Sequence, residues 1–208
     1  MKIFVISDIH GSVSAFEEAC AAFCKEQAEI MLICGDFLNH GPRNPIPQDY
    51  NPPALAQKLN GLKSQIACVK GNCDGEVDQM LIDFSVLDPT CQLFLPCFGQ
   101  NTRHAQNAGG ADFVPNGRIF VHHGHRFTNQ QAAELTDDGT IIVSGHTHVP
   151  VLEVQNKRIY VNPGSITLPK AQSAPGYATI ECVKDAESYK ISVCLKNIAG
   201  EIIKALSF

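Results

Sequence analysis

Over 208 residues the chain is 44% apolar and 18% charged, enough to bury a substantial core, and no run approaches the roughly 18 consecutive apolar residues of a membrane span. A formal charge of -5, with no basic cluster beyond Lys157 and Arg158, argues against a protein built to hold long nucleic acid, which binds through many phosphate contacts. Nine cysteines, an odd number without a C-x-x-C pair, support neither a disulfide framework nor a cysteine zinc finger, so a reducing cytoplasm is the expected compartment.

The opening segment lacks the long apolar stretch and small-residue cleavage pattern of a secretory leader. Its apolar run, 3–7, reads as a strand that ends at Asp8 and His10. Residues 12–25 follow as a helix, with Ser12 as its cap, Glu17 and Glu18 near its start, and Ala15, Phe16, Ala19, Ala22 and Phe23 on one face. A second strand-like run, 31–35, ends at Asp36. The proline-rich stretch 39–47 cannot be regular structure, and a helix is predicted over 53–62 with proline at its beginning. A third run, 66–71, ends at Asn72.

From residue 91 onward the pattern turns to strands. Runs at 91–97, 118–122, 140–144, 151–155, 158–162, 177–183, 189–196 and 201–208 are joined mostly by short turns, with one helix at 129–135 and a long polar loop over 99–117. The run 118–122 ends at His123, and the run ending at Gly145 leads to His146 and His148. Helix-bearing strands followed by hairpins predict two sheets packed face to face with helices outside, in one domain spanning 1–208.

Each of these turns is ordinary alone; residues 71–74, for instance, have common β-turn composition. Together they place seven candidate ligands at the carboxyl ends of strands, where open α/β sheets bind their ligands. Asp8 and His10, two apart on an extended segment, would reach one ion, and Asp36 supplies a carboxylate able to bridge two. Asn72 offers a neutral oxygen, and His123, His146 and His148 offer imidazole nitrogens. A set of oxygen and nitrogen donors without thiolate suits Mn²⁺, Fe²⁺, Zn²⁺ or similar ions better than a structural cysteine-zinc site, and seven donors suit two ions better than one; Mn²⁺ is the expected metal, with Zn²⁺, Fe²⁺ or Ni²⁺ as alternatives.

The segments D-x-H at 8–10, G-D at 35–36, G-N-x-D at 71–74, H-G-H at 123–125 and G-H-T-H at 145–148 resemble the signature of the calcineurin-like metallophosphoesterases. Residues 38–44, 71–74 and 162–165 are similar to its YfcE-like phosphodiesterase branch. The resemblance implies a four-layer αββα sandwich of two mixed sheets. It also implies a dimetal centre with Asp8, His10, Asp36 and His148 at one ion and Asp36, Asn72, His123 and His146 at the other. The implied reaction is hydrolysis of a small phosphodiester by in-line attack of a hydroxide bridging the ions. Many relatives carry a histidine that assists the leaving group where this chain has Cys73, and a thiol is a poor substitute for an imidazolium acid. Cys73 and His125 are therefore the candidate catalytic groups beyond the metal, and Arg43 and Arg126 the candidate cations for phosphate oxygens. A homodimer or higher homo-oligomer is the expected assembly. A competing class is a protein-interaction scaffold resembling the retromer subunit of this fold, which has lost part of the metal set. Metal-dependent hydrolysis of another bond, such as an amide, would use similar ions.

Overall fold

The computed structural model describes residues 1–99, 113–186 and 188–208. Its first half interleaves strands and helices: β1 (Lys2–Ile6), α1 (Val13–Glu26), β2 (Ile30–Ile33), α2 (Pro52–Gly61), β3 (Ile66–Cys68) and a short α3 (Glu76–Gln79). Then come β4 (Thr90–Phe94), β5 (Arg118–His122), α4 (Asn129–Glu134), β6 (Ile141–Val143), β7 (Val151–Gln155), β8 (Arg158–Asn162), β9 (Gly176–Asp185), β10 (Ser188–Asn197) and β11 (Ile202–Ser207).

These strands form two mixed sheets, in the orders β11-β10-β9-β1-β2-β3 and β4-β5-β6-β8-β7. Strand β1 shows why they stack. From Ile3 to Ile6 its run is apolar at every position because both faces are covered: Ile3 and Val5 turn toward the other sheet, and Phe4 and Ile6 toward the helices. Between the sheets, Ile3, Val5, Leu32 and Val193 meet Val121, Ile141, Val143 and Val161. Outside the first sheet, Phe4, Ile6 and Met31 pack on Phe16, Ala19 and Phe23 of α1 and Leu55 and Leu59 of α2, with the Phe4 ring 4.5 Å from that of Tyr177. Outside the second, Phe120, Ile142 and Tyr160 pack on Ala132 of α4. The layers are therefore α, β, β, α, as expected. No helix among the described residues is long and apolar enough to cross a membrane.

Capping sets the helix starts. Ser12 Oγ accepts the Ala15 N–H at 3.3 Å, and Asn51 Oδ1 accepts that of Ala54 at 3.2 Å, so α2 opens at Pro52 rather than 53. Strand β4 stops at Phe94, short of the expected 97, because Pro96 has no N–H with which to continue a ladder. Helix α3 was not foreseen, since four residues are too few for a helical period to show. The loop expected over 99–117 falls mostly outside the described residues.

Candidate metal centre

In the first sheet β1, β2 and β3 run parallel, and in the second β5, β6 and β8 do. Their carboxyl ends carry the seven candidate ligands to one edge of the sandwich. The sheets are tied there by His123, whose Nδ1–H donates to the Cys34 carbonyl at 2.5 Å. Asp8, His10, Asp36, His123 and His148 are buried, whereas Asn72 and His146 are more open. The centre is thus closed on the protein side and accessible on the other, the arrangement a catalytic rather than a structural metal site requires.

Second partners settle what the imidazoles offer. His10 Nδ1 lies 2.9 Å from the Asn39 carbonyl and His148 Nδ1 2.6 Å from that of Leu168. A carbonyl can only accept, so in His10, His123 and His148 the hydrogen sits on Nδ1 and the Nε2 lone pair faces inward, as in metal-ligating histidines. Those lone pairs crowd against one another and against oxygens. His10 Nε2 is 3.2 Å from His148 Nε2, which is 3.2 Å from Asp8 Oδ1, and His123 Nε2 is 3.1 Å from Asn72 Oδ1. Asp36 Oδ2 lies between, 3.7 Å from His10 Nε2 and 3.5 Å from His123 Nε2. Asp8 Oδ1 is buried without a hydrogen-bond partner. With the imidazoles neutral these are acceptors facing acceptors, and the crowding calls for positive charge among them, a proton on His123 or a cation in its place, so the residues present fit a divalent metal.

The electrostatics agree. Burial lowers the pKa of His123, yet Asp36 and Asp8 outweigh it and push the value up to about 9. Burial opposes ionisation of Asp36, but His123 and the Cys73 backbone N–H hold its carboxyl well below the usual range. Burial keeps His10 and His146 below the ordinary histidine value, which favours the neutral form that ligates. The rings of His10 and His148 lie 5.1 Å apart, and so do those of His123 and His146.

The backbone reaches this geometry differently from the expectation. Asp8, His10, Asp36, His146 and His148 have φ of 56°, 50°, 57°, 68° and 60°, so these five of the seven candidate ligands sit in left-handed turns and not on extended continuations of their strands. For residues other than glycine such conformations cost on the order of 1–3 kcal/mol each and persist where the surroundings over-determine them. Here the surroundings are specific. Buried Ser165 Oγ–H donates to the Asp8 carbonyl at 2.7 Å while accepting the N–H groups of Thr167 and Leu168, and Thr167 Oγ1–H donates to the Ile9 carbonyl at 2.8 Å. Asn162 Nδ2–H donates to the Gly145 carbonyl at 2.8 Å, and Asp8 Oδ2 accepts the His146 N–H at 3.0 Å. Asp74 accepts the N–H groups of Asp36, Phe37 and Gly71 at 2.9, 2.8 and 2.6 Å, pinning the β2 and β3 turns together. Burial and the neighbouring Asp36 charge push its pKa up to about 7 against those donors. We expect Ser165→Ala to cost about 1–3 kcal/mol of stability and 10–100-fold in activity, read by denaturant unfolding and steady-state kinetics.

A cleft of about 580 Å³ opens over the centre, lined by Asp36, Asn72, His146 and His148 together with Asn39, Gly41, Pro42, Arg43, Asn44, Cys73 and Lys170. Arg43 and Cys73 thus reach the site. Arg126 is exposed and is not part of this lining. The His125 ring is 5.3 Å from that of His123 and 6.3 Å from that of His146, and burial, then His123, lower its pKa to about 4. Burial and the Asp36 charge push the Cys73 thiol far above its ordinary value, so it is neutral. Lys170 carried no signal in the sequence; only the folded chain brings it to the rim.

A cluster of acceptors that calls for cations, at the strand ends of an αββα sandwich and under an open cleft, defines a metal-dependent hydrolase. The chain belongs to the calcineurin-like phosphoesterase superfamily, whose domain description, Calcineurin-like phosphoesterase superfamily domain, matches residues 1–185. It is similar to phosphodiesterase YfcE of Escherichia coli K12, with 36% identity over 181 residues, 87% of this chain and 88% of that protein. The solved structure of the E. coli phosphoesterase YfcE superposes with a TM-score of 0.80 at 32% identity, covering 99% of this chain and 98% of the other. Wild-type Vps29 from Entamoeba histolytica, complexed with Zn²⁺, shares the fold at a TM-score of 0.56 and 16% identity, covering 100% and 98% of the two chains.

Proposed function

We propose that this chain is a phosphoric diester hydrolase that works with two divalent ions, Mn²⁺ foremost, on small phosphodiesters. The observation that carries this reading is the crowding of Asp8, Asp36, Asn72 and three imidazole lone pairs at 3.1–3.7 Å in a member of the phosphoesterase superfamily. Bound there, the ions would activate water and neutralise phosphate oxygens. Asp8, His10, Asp36 and His148 are assigned to one ion, and Asp36, Asn72, His123 and His146 to the other, with Asp36 between them. The relative named as a phosphodiesterase supports the diester class. Of the two arginines considered, Arg43 is assigned to the substrate, because it lines the cleft and Arg126 does not. We take residues 1–208 as one such domain. The odd cysteine count without a C-x-x-C pair is the ground for expecting it in the cytoplasm, and a homodimer is the expected assembly.

A neutral Cys73 thiol is a weak proton donor, so the leaving alkoxide depends on water, on His125 or on its own acidity, and diesters with acidic leaving groups are favoured. We therefore expect Cys73→His to raise turnover of alkyl-ester diesters by about 10–100-fold while changing p-nitrophenyl esters by less than about threefold. Stopped-assay product analysis on both classes checks this; equal effects on both would remove any leaving-group role for position 73.

Hydrolysis of bis-p-nitrophenyl phosphate with Mn²⁺ by the wild type, Asp36→Asn and His123→Ala tests the proposed function. Full activity in both variants would remove the dimetal reading. The fold likeness to Vps29 supports a second reading, a binding scaffold. A folded wild type inert toward every phosphoester, together with a stable protein partner, would favour it.

A further inference from the structure

Two cations on the rim, Arg43 and Lys170, have no assigned task in the chemistry of the ions. About half of the lysines and arginines among the described residues hold a carboxylate, Lys58, Lys63, Arg118, Arg158 and Lys196 among them. Among the described residues neither Arg43 nor Lys170 does, although the chain carries a net charge of -5, and what sets these two apart from the other unpaired cations is that they line the cleft.

Both stand on backbone fastened to the metal centre. The Arg43 loop starts at Asn39, whose carbonyl holds His10 Nδ1–H at 2.9 Å, and it is shaped by Asn39 Oδ1 accepting the Gly41 N–H and Asn44 Nδ2–H donating to the His40 carbonyl. Lys170 donates its backbone N–H to the His148 carbonyl at 3.0 Å, two residues beyond Leu168, whose carbonyl holds His148 Nδ1–H. The backbone that carries each cation is thereby fixed relative to one of two histidines whose Nε2 atoms lie 3.2 Å apart. A cleft of about 580 Å³ has room for far more than one phosphate group.

We propose, resting on the phosphodiesterase reading and narrowing its substrate, that Arg43 and Lys170 form a second anion subsite beside the metal centre, which selects diesters bearing a further phosphate group on one substituent. A guanidinium fork and an ammonium, with the Asn39 amide alongside, match the several oxygens of a terminal phosphate better than a single carboxylate.

The experiment compares the p-nitrophenyl ester of thymidine 5′-phosphate with the same ester phosphorylated at the 3′ oxygen, using the Mn²⁺-loaded enzyme. In both, water adds to the 5′ phosphorus, the P–O bond to the aryl group breaks, and the electron pair leaves on p-nitrophenolate. Wild type is expected to favour the 3′-phosphorylated ester about tenfold in kcat/KM, chiefly through KM, with that ratio falling toward one in Arg43→Ala and in Lys170→Ala. Calorimetry with thymidine 3′,5′-bisphosphate should show about tenfold weaker binding in either variant than in wild type. Equal use of both esters by the wild type would overturn the subsite while leaving the diesterase intact. A preserved ratio with both rates reduced would place the cations on the reacting phosphate and also overturn it. If neither these esters nor bis-p-nitrophenyl phosphate is cleaved, the diesterase reading itself fails.

Discussion

Replacing Asp36 by Asn is expected to lower hydrolysis of bis-p-nitrophenyl phosphate by at least about a thousandfold, with the protein still folded. Asp36 is the carboxylate between the two imidazole pairs: Oδ2 faces His10 and His123 while Oδ1 accepts the Cys73 N–H at 2.8 Å. An amide in its place keeps the shape but removes the charge that would offset the two proposed dications, and it can present an N–H where a lone pair is needed. The loss should appear in kcat and in metal content alike. His123→Ala should be comparably severe, because it removes a proposed ligand and also the bond from Nδ1 to Cys34 that joins the sheets. Near-normal activity in Asp36→Asn at saturating Mn²⁺ would show that the reaction does not pass through this centre.

The second large effect is expected at Gly71, a residue with no side chain to ligate a metal. A Cβ there would lie 2.0 Å from Asp36 Oδ1 and 2.3 Å from the Asp36 backbone nitrogen, and neither can retreat while Asp74 holds Asp36, Phe37 and Gly71 together. Gly71→Ala should therefore cost about 3 kcal/mol or more and abolish metal binding. Gly61 is the control. At the end of α2 a Cβ meets nothing within 4 Å, and Gly61→Ala should be neutral or stabilise by up to about 1 kcal/mol through helix propensity. Urea unfolding of both variants measures the contrast; similar midpoints would contradict the packing argument at Gly71.

The difference between these glycines also shows what sequence could reveal. The run before Asp8 was legible as a strand because Ile3 to Ile6 are buried on both faces, and such burial demands unbroken apolar character. The candidate ligands stood out for a related reason, since Asp8, Asp36, Asn72, His123 and His146 each directly follow such a run and His10 and His148 lie two residues beyond. The left-handed turn at Asp8 and His10 was not, since nothing in D-x-H announces positive φ; it is imposed by Ser165 and Thr167, more than 150 positions away. Asp74 stood in a recognised motif, but its role as a clamp on three backbone N–H groups depends on β2 and β3 lying side by side. Lys170 illustrates the same limit at the rim. Contacts between distant segments decide these roles, and periodicity carries no trace of them.

Titration of the metal-free chain with Mn²⁺, followed by calorimetry and electron paramagnetic resonance, tests the central claim most directly. Asp8, Asp36, Asn72 and the imidazoles of His10, His123, His146 and His148 should take up two equivalents, with a spin-coupled signal from ions about 3.5–4 Å apart, lost in Asp36→Asn. A single equivalent, or two that remain magnetically independent, would contradict a shared centre bridged by Asp36.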